Sequence, residues 1–106
     1  MTALLVLTNL PDQETAQRLA RDLVEQRLAA CVNIAAPVTS LYHWHGALET
    51  AQEVPLWIKT SQEAYPRLEA AIRESHPYEL PEIVAISITR GLEAYLRWVE
   101  TETERA

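Results

Sequence analysis

Two of the chain's three histidines, His43 and His45, lie close together in the stretch YHWHG at residues 42–46. On a β-strand their i, i+2 spacing would place both rings on one face, and imidazole is the commonest metal ligand in proteins. A zinc site needs three or four protein ligands, however, and the nearest acidic residue, Glu49, lies beyond a predicted turn. We therefore interpret the two histidines as polar side chains on the solvent face of a hairpin.

The third histidine lies in a segment that concentrates chemically capable side chains, SHPYELPE at residues 75–82. Its prolines hold the backbone rigid and nonhelical, and rigid loops are good places for binding or for acid–base chemistry. The alternative is a simple connector whose prolines only end the preceding helix. Composition alone does not decide between these two interpretations. The side chains concerned are His76, Tyr78, Glu79 and Glu82.

The single cysteine, Cys31, cannot form a disulfide within the chain, which favours a reducing, cytoplasmic environment. A catalytic thiol needs a neighbouring base, whereas most single buried cysteines are small hydrophobic residues. Lys59 is either a partner for a glutamate or an exposed charge. The sequence contains no Ser-His-Asp, HExxH, CxxC or P-loop arrangement, so we expect a protein that is not an enzyme.

Length and composition narrow the class of protein. The 106 residues fit a single domain, 1–106, and 48% of them are hydrophobic, which is enough for a core without disulfides. The formal net charge of -6 disfavours nucleic acid as a partner. We expect no membrane association, because no apolar run approaches a membrane span, and no signal peptide, because the first residues lack a basic region.

Hydrophobic periodicity predicts the elements that must position these residues. The apolar run ALLVLT predicts a buried strand that Asn9 closes, and Asp12 is the expected N-cap of the following helix. Val54, Leu56 and Ile58 should share one face of a strand. In chain order the predictions are a strand at 3–8, a helix at 13–27, strands at 31–35, 38–44 and 54–60 with a hairpin tip around 46–52, a helix from about 65 that ends before Pro77, a strand at 83–89 and a terminal helix at about 92–99.

This order, β-α-β-β-α-β with an additional C-terminal helix, predicts an α/β (α+β) fold of the ferredoxin-like type. The helices would cover one face of its antiparallel sheet. The other face would carry Trp57, Tyr42 and Trp44 without a covering layer. An uncovered apolar sheet face and a long hairpin are best explained by self-association.

Several motifs resemble one known family. In chain order they are LAACVN at 28–33, SLYHWHG at 40–46, LWIKT at 56–60, HPYELPEI at 76–83 and YLRWV at 95–99. With essentially the whole chain covered, the sequence resembles the divalent-cation tolerance (CutA) family. The resemblance implies a ferredoxin-like subunit with a long hairpin over residues 31–60, assembled as a tight homotrimer similar to PII-type signalling trimers.

The resemblance also implies a polar pocket at the subunit interface. The matching positions are Cys31, Asn33, Tyr42, Trp44, Lys59, His76, Tyr78, Glu79 and Glu82. The implied metal ligands among them are His76, Cys31 and Glu79, and the implied cofactor is copper(II) or another divalent cation. Members proposed to bind copper resemble one another in two further ligands, a cysteine and a histidine, whose positions are occupied here by Thr8 and Ser75.

The function implied by this resemblance is that of a trimeric protein that binds divalent cations, copper in particular, and contributes to cation tolerance. No enzymatic reaction is implied. The alternative is a PII-like small-molecule sensor or protein-interaction scaffold that has no physiological metal.

Overall fold

The computed structural model describes residues 2–105 of the chain. Within that range it contains five strands and three helices. In chain order they are β1 (Ala3–Leu10), α1 (Gln13–Glu25), β2 (Cys31–Ile34), β3 (Val38–Trp44), β4 (Ala47–Ser61), α2 (Tyr65–Ser75), β5 (Val84–Ile88) and α3 (Glu93–Glu102). Every predicted element is present, and β1 extends two residues beyond the predicted strand, so that Asn9 lies within it.

The strands form one antiparallel sheet in the order β2-β4-β1-β5, and β3 pairs with the first half of β4. In the centre of the sheet, Val6 of β1 lies opposite Ile58 on one side and Ala85 on the other. The predicted ferredoxin-like α/β class with an additional C-terminal helix is therefore confirmed.

The main core lies between one face of the sheet and the helices α1 and α2. Val54, Leu56 and Ile58 are buried on this face, which confirms the alternation predicted for β4. Asp12 caps α1 as expected, because its Oδ1 accepts a hydrogen bond of 2.8 Å from the backbone N–H of Thr15. The helices contribute Leu19, Leu23, Leu68 and Ile72 to the core.

The second face of the sheet is only partly covered. Helix α3 packs Val99 against Ala3 and Ala30 at one end of the sheet. The remainder, which we call the open sheet face, consists of Leu5, Leu7, Trp57, Val84 and Ile86. The side chain of Trp57 is 50% exposed there, and Val84 and Ile86 are exposed to a similar extent.

The hairpin differs from its prediction. The polar stretch at 47–53, which contains most of the predicted tip, is the first half of β4 and pairs with β3 from Trp44↔Ala47 to Val38↔Glu53. The predicted tip at 46–52 is wrong, because the turn consists of His45 and Gly46 alone, with φ angles of 53° and 81°. Positive φ at both positions is characteristic of a two-residue type I′ turn, which closes strands regardless of how polar their side chains are.

We call residues 38–53 the hairpin arm. Its register places Tyr42 and Trp44 on one face and His43 on the other, as predicted for these three residues. His45 lies in the turn instead of on a strand, so the two histidines do not share a strand face. No helix within residues 2–105 combines the length and apolar character that a membrane crossing requires.

Candidate functional site

A cleft of about 990 Å³ lies between the hairpin arm and the loop at residues 76–82. Its walls combine aromatic rings, carboxylates and the imidazoles of His43 and His45, and among residues 2–105 no lysine or arginine lines it. The aromatic residues are Tyr42, Trp44 and Tyr78, and the acidic residues are Glu53, Glu79 and Glu82. The structure thus brings together five of the pocket residues expected from the sequence, Tyr42, Trp44, Tyr78, Glu79 and Glu82, and adds Glu53.

His76 follows the last residue of α2 and is buried at the base of the loop. Its Nε2 lies 2.7 Å from the carbonyl oxygen of Asn9, so Nε2–H must donate, because a carbonyl only accepts. The backbone N–H of Tyr78 donates to Nδ1 over 3.2 Å. Both ring nitrogens are therefore occupied in the neutral imidazole, and a metal ion at His76 would have to displace one of these hydrogen bonds.

The protonation of His76 follows from the same environment. Burial lowers the pKa of its imidazole below the ordinary 6.5, while the Asn9 carbonyl and the nearby Glu53 carboxylate act in the opposite direction and do not outweigh it. At neutral pH the ring is uncharged. It positions the loop by hydrogen bonding and does not neutralise the carboxylates of the cleft.

Asn9 holds both ends of the loop. Its carbonyl accepts from His76, and its side-chain Nδ2 donates to Oε1 of Glu82 over 3.2 Å. The sequence predicts for Asn9 only the end of a strand. No local pattern signalled its role, because its two partners lie 67 and 73 residues away along the chain.

Glu53 is the most buried acidic residue of the cleft, with only 8% of its surface exposed. Burial, and next the neighbouring Glu53 carboxylate, raise the pKa of Tyr78 to about 12, so the phenol stays protonated. Glu53 was missed in the sequence because it lies between the predicted hairpin tip at 46–52 and the predicted strand at 54–60. In the strand that actually forms there, it lies opposite Val38.

The remaining expected residues form a second group on the sheet. Cys31 lies opposite Lys59 in the pairing of β2 with β4, and the Lys59 ammonium donates a hydrogen bond to Oδ1 of Asn33. Cys31 is partly exposed beside Tyr95, whose pKa is raised by burial and then by its interaction with this thiol.

This second group is distant from His76 within one chain. Lys59 of β4 pairs with Leu5 of β1, whereas His76 contacts Asn9, which lies four residues further along β1. At ~3.3 Å per residue, the two groups are separated by about 13 Å. Cys31 and His76 therefore cannot ligate the same metal ion within a single chain.

The described residues also lack a complete metal site. No group of three or more histidine, cysteine, aspartate or glutamate side chains within residues 2–105 has the geometry to hold a metal ion. Thr8, where the resemblance implies a ligand cysteine in members proposed to bind copper, is fully buried and faces the core. The hydroxyl of Ser75 donates to the carbonyl of Ala71 over 3.1 Å.

Comparison with known proteins places this geometry in context. Residues 4–102 match the family model of the CutA1 divalent ion tolerance protein. The divalent-cation tolerance protein CutA of Thermus thermophilus is 45% identical over 98 residues, which cover 92% of this chain and 95% of that protein. The human protein CutA is 43% identical over 94 residues, or 89% of this chain and 52% of that protein. The chain thus spans about half the length of its mammalian relatives.

Solved structures extend the similarity to three dimensions. The divalent cation tolerance protein of Thermus thermophilus superposes with a TM-score of 0.94 at 43% identity, over 96% of this chain and 99% of that one. The structure named periplasmic divalent cation tolerance protein CutA, from Archaeoglobus fulgidus, superposes with a TM-score of 0.92 at 36% identity, over the same shares of the two chains.

Proposed function

The chain belongs to the CutA1 divalent ion tolerance family, and we propose that it acts as a non-catalytic homotrimer that binds a divalent cation, such as copper(II), between its subunits. The names of its relatives associate them with tolerance to divalent cations. We extend that role to this chain. A cytoplasmic location, favoured by the single cysteine, forms part of the same proposal.

The open sheet face is the observation that supports assembly. It exposes Trp57, Val84 and Ile86, while Tyr42 and Trp44 of the hairpin arm are 43% and 37% exposed. Contiguous apolar surface of this kind on a small subunit marks an interaction site. Closed cyclic symmetry would allow each hairpin arm to lie against the open sheet face of a neighbouring subunit.

The separation of Cys31 from His76 supports a cation site shared between subunits. Copper favours thiolate and imidazole ligands, and this chain provides them in two groups about 13 Å apart, by the strand spacing given above. Trimer formation would allow Cys31 of one subunit to approach Glu79 or His76 of the next.

The assembly is tested by measuring the molar mass in solution, and the cation site by calorimetric titration with copper(II). We expect three times the 12.0 kDa subunit mass at micromolar concentration. Copper binding by the wild type should weaken at least tenfold in Cys31→Ser and in His76→Gln, each of which removes a ligand that copper favours. His43→Gln is the matched control and should bind like the wild type. A monomeric mass, or equal copper binding by all four proteins, contradicts the proposal.

The cleft supports a second candidate, a PII-like sensor that binds a small molecule or a scaffold that binds a partner protein. Its combination of aromatic and polar lining residues is typical of ligand pockets. In this candidate the trimer provides the framework and no metal is required. A thermal-shift screen of small metabolites tests the sensor version, since a ligand that binds only the folded protein raises its melting temperature.

A further inference from the structure

Helix α3 packs on the second sheet face through a small apolar contact. Of its ten residues, all of which lie in the described part of the chain, Val99 alone is fully buried, and it packs against Ala3 and Ala30. Leu96 and Ile88 are only partly buried beside this contact. Because two alanines offer little apolar area, the contact by itself stabilises the docked helix weakly.

The polar contacts that dock α3 lie at its C-terminal end. Thr103, which follows the helix, is fully buried, and its hydroxyl donates to the Val99 carbonyl and accepts from the hydroxyl of Ser61 on β4, each over 2.9 Å. At the N-terminal end, by contrast, Leu92 is 76% exposed, and no side chain among residues 2–105 caps the helix. The helix is therefore fastened at one end.

Arg27, which lies just after α1, fastens the same end of α3. Its guanidinium donates to the Glu102 carboxylate over 3.2 Å and to the backbone carbonyl of Glu102 over 3.4 Å. The two residues are 75 positions apart in the chain. This contact therefore joins the C-terminal end of α1 directly to the C-terminal end of α3.

The backbone of Arg27 is in a strained conformation. Helix α1 ends in a Schellman motif, in which the N–H of Arg27 donates to the Val24 carbonyl and the N–H of Leu28 donates to the Leu23 carbonyl. Arg27 occupies the left-handed position of this motif with a φ of 59°, where glycine is the usual residue because a Cβ is unfavourable there. Strain of this kind persists where the surrounding structure holds it, and here the arginine supplies a contact that glycine cannot make.

We propose that α3 is a strap that opens from the sheet independently of the main core, and that Arg27 is the clamp that holds it closed. Opening of the strap uncovers Ala3 and Ala30, so α3 determines how much of the second sheet face is exposed. Closure depends on the contacts at the C-terminal end of α3, where the guanidinium of Arg27 holds Glu102. This role is separate from cation binding and requires no ligand.

The test is amide hydrogen exchange of the full chain at one fixed protein concentration, with the β1 amides as the reference for global unfolding. In the wild type, the α3 amides should exchange at least about tenfold faster than the β1 amides, because a helix that opens by itself exchanges without unfolding of the core. Arg27→Gly should accelerate α3 exchange by about threefold more, the effect of losing an exposed ion pair. The β1 amides should exchange no faster in this variant, because glycine relieves the strained φ.

Two further variants separate the clamp from general effects of the substitution. Arg27→Asn removes the guanidinium but keeps a side chain that tolerates positive φ, so it should also accelerate α3 exchange without the flexibility of glycine. Arg18→Gln removes an arginine that pairs with Glu14 on α1, and it should leave α3 exchange unchanged. Equal exchange rates of the α3 and β1 amides in the wild type overturn the proposal, because α3 would then open only with the whole chain. Unchanged α3 exchange in both Arg27 variants also overturns it.

Discussion

Thr8 and Thr60 are fully buried threonines on neighbouring strands that differ in their hydrogen bonding. The hydroxyl of Thr60 donates to the carbonyl of Leu28 over 2.7 Å, whereas the hydroxyl of Thr8 has no partner within residues 2–105. A buried hydroxyl without a partner loses its hydrogen bonds to water and gains nothing in return. The two residues therefore provide a matched comparison.

We expect Thr8→Val to raise the free energy of unfolding by about 1 kcal/mol, since a methyl group of similar size replaces an unsatisfied hydroxyl. Thr60→Val should lower it by about 1–2 kcal/mol, because the Leu28 carbonyl is left without its donor. Urea denaturation at one fixed protein concentration measures both changes, since assembly makes apparent stability depend on concentration. A loss of stability in Thr8→Val would show that its hydroxyl has a partner.

His76 should make stability depend on pH. Its folded-state pKa lies below the unfolded value of about 6.5, so between the two values the unfolded chain binds more protons than the folded chain. Stability is thus complete above pH ~6.5 and decreases as the pH falls through that value towards the folded-state pKa. The physical cause is that protonation of Nδ1 removes the acceptor for the Tyr78 N–H.

The measurement is the free energy of unfolding between pH 5 and pH 7.5, in the wild type and in His76→Gln. Glutamine retains a donor for the Asn9 carbonyl and does not titrate, so the decrease below pH ~6.5 should be reduced in this variant. His43→Gln, on the outer part of the hairpin arm, should retain the wild-type profile. If the free energy of unfolding decreased equally with falling pH in all three proteins, the role assigned to His76 would be contradicted.

At the scale of elements, the turn of the hairpin arm offers a test of backbone conformation alone. A Cβ added at Gly46 meets nothing within 4 Å, yet its φ of +81° is one that L side chains rarely adopt. Gly46→Ala should therefore destabilise the arm by about 1 kcal/mol without any steric clash. His45→Asn should stabilise it by a few tenths of a kcal/mol, because asparagine adopts positive φ more readily in type I′ turns.

Hydrogen exchange of the β3 and β4 amides measures these changes locally. Exchange should become faster in Gly46→Ala and slower in His45→Asn, while core amides of β1 remain unchanged. If neither substitution altered hydrogen exchange of the arm amides, the stability of the turn would not determine how often the hairpin arm opens.

Sequence patterns predicted the inner half of β4 but not its outer half. The alternation of Val54, Leu56 and Ile58 identified the inner half of β4, because burial imposes a period of two. The outer half is exposed and polar, so no pattern distinguishes it from a loop. The candidate site divides in the same way: His76 and Tyr78 were found by local composition, but Asn9 and Glu53 contribute through contacts that are distant in sequence.

For the whole molecule, the open sheet face should determine the oligomeric state. Trp57 is half exposed in the isolated subunit, so Trp57→Glu leaves the main core intact while placing a charge in the proposed interface. We expect this variant to be a folded monomer by light scattering and circular dichroism. Gln17→Glu, on the exposed side of α1, introduces the same charge elsewhere and should remain a trimer. A trimeric Trp57→Glu variant would exclude this face as the contact.

The position of β1 in the centre of the sheet also has a consequence for how the protein is made. Its partners β4 and β5 follow later in the chain, and Asn9 meets His76 and Glu82 across 67 and 73 residues. The hairpin arm, by contrast, needs only its own two-residue turn and can form within microseconds. During synthesis, therefore, the arm should form on the ribosome before β1 has paired with both of its neighbours. Until β5 emerges, β1 remains an apolar strand that is exposed to chaperones.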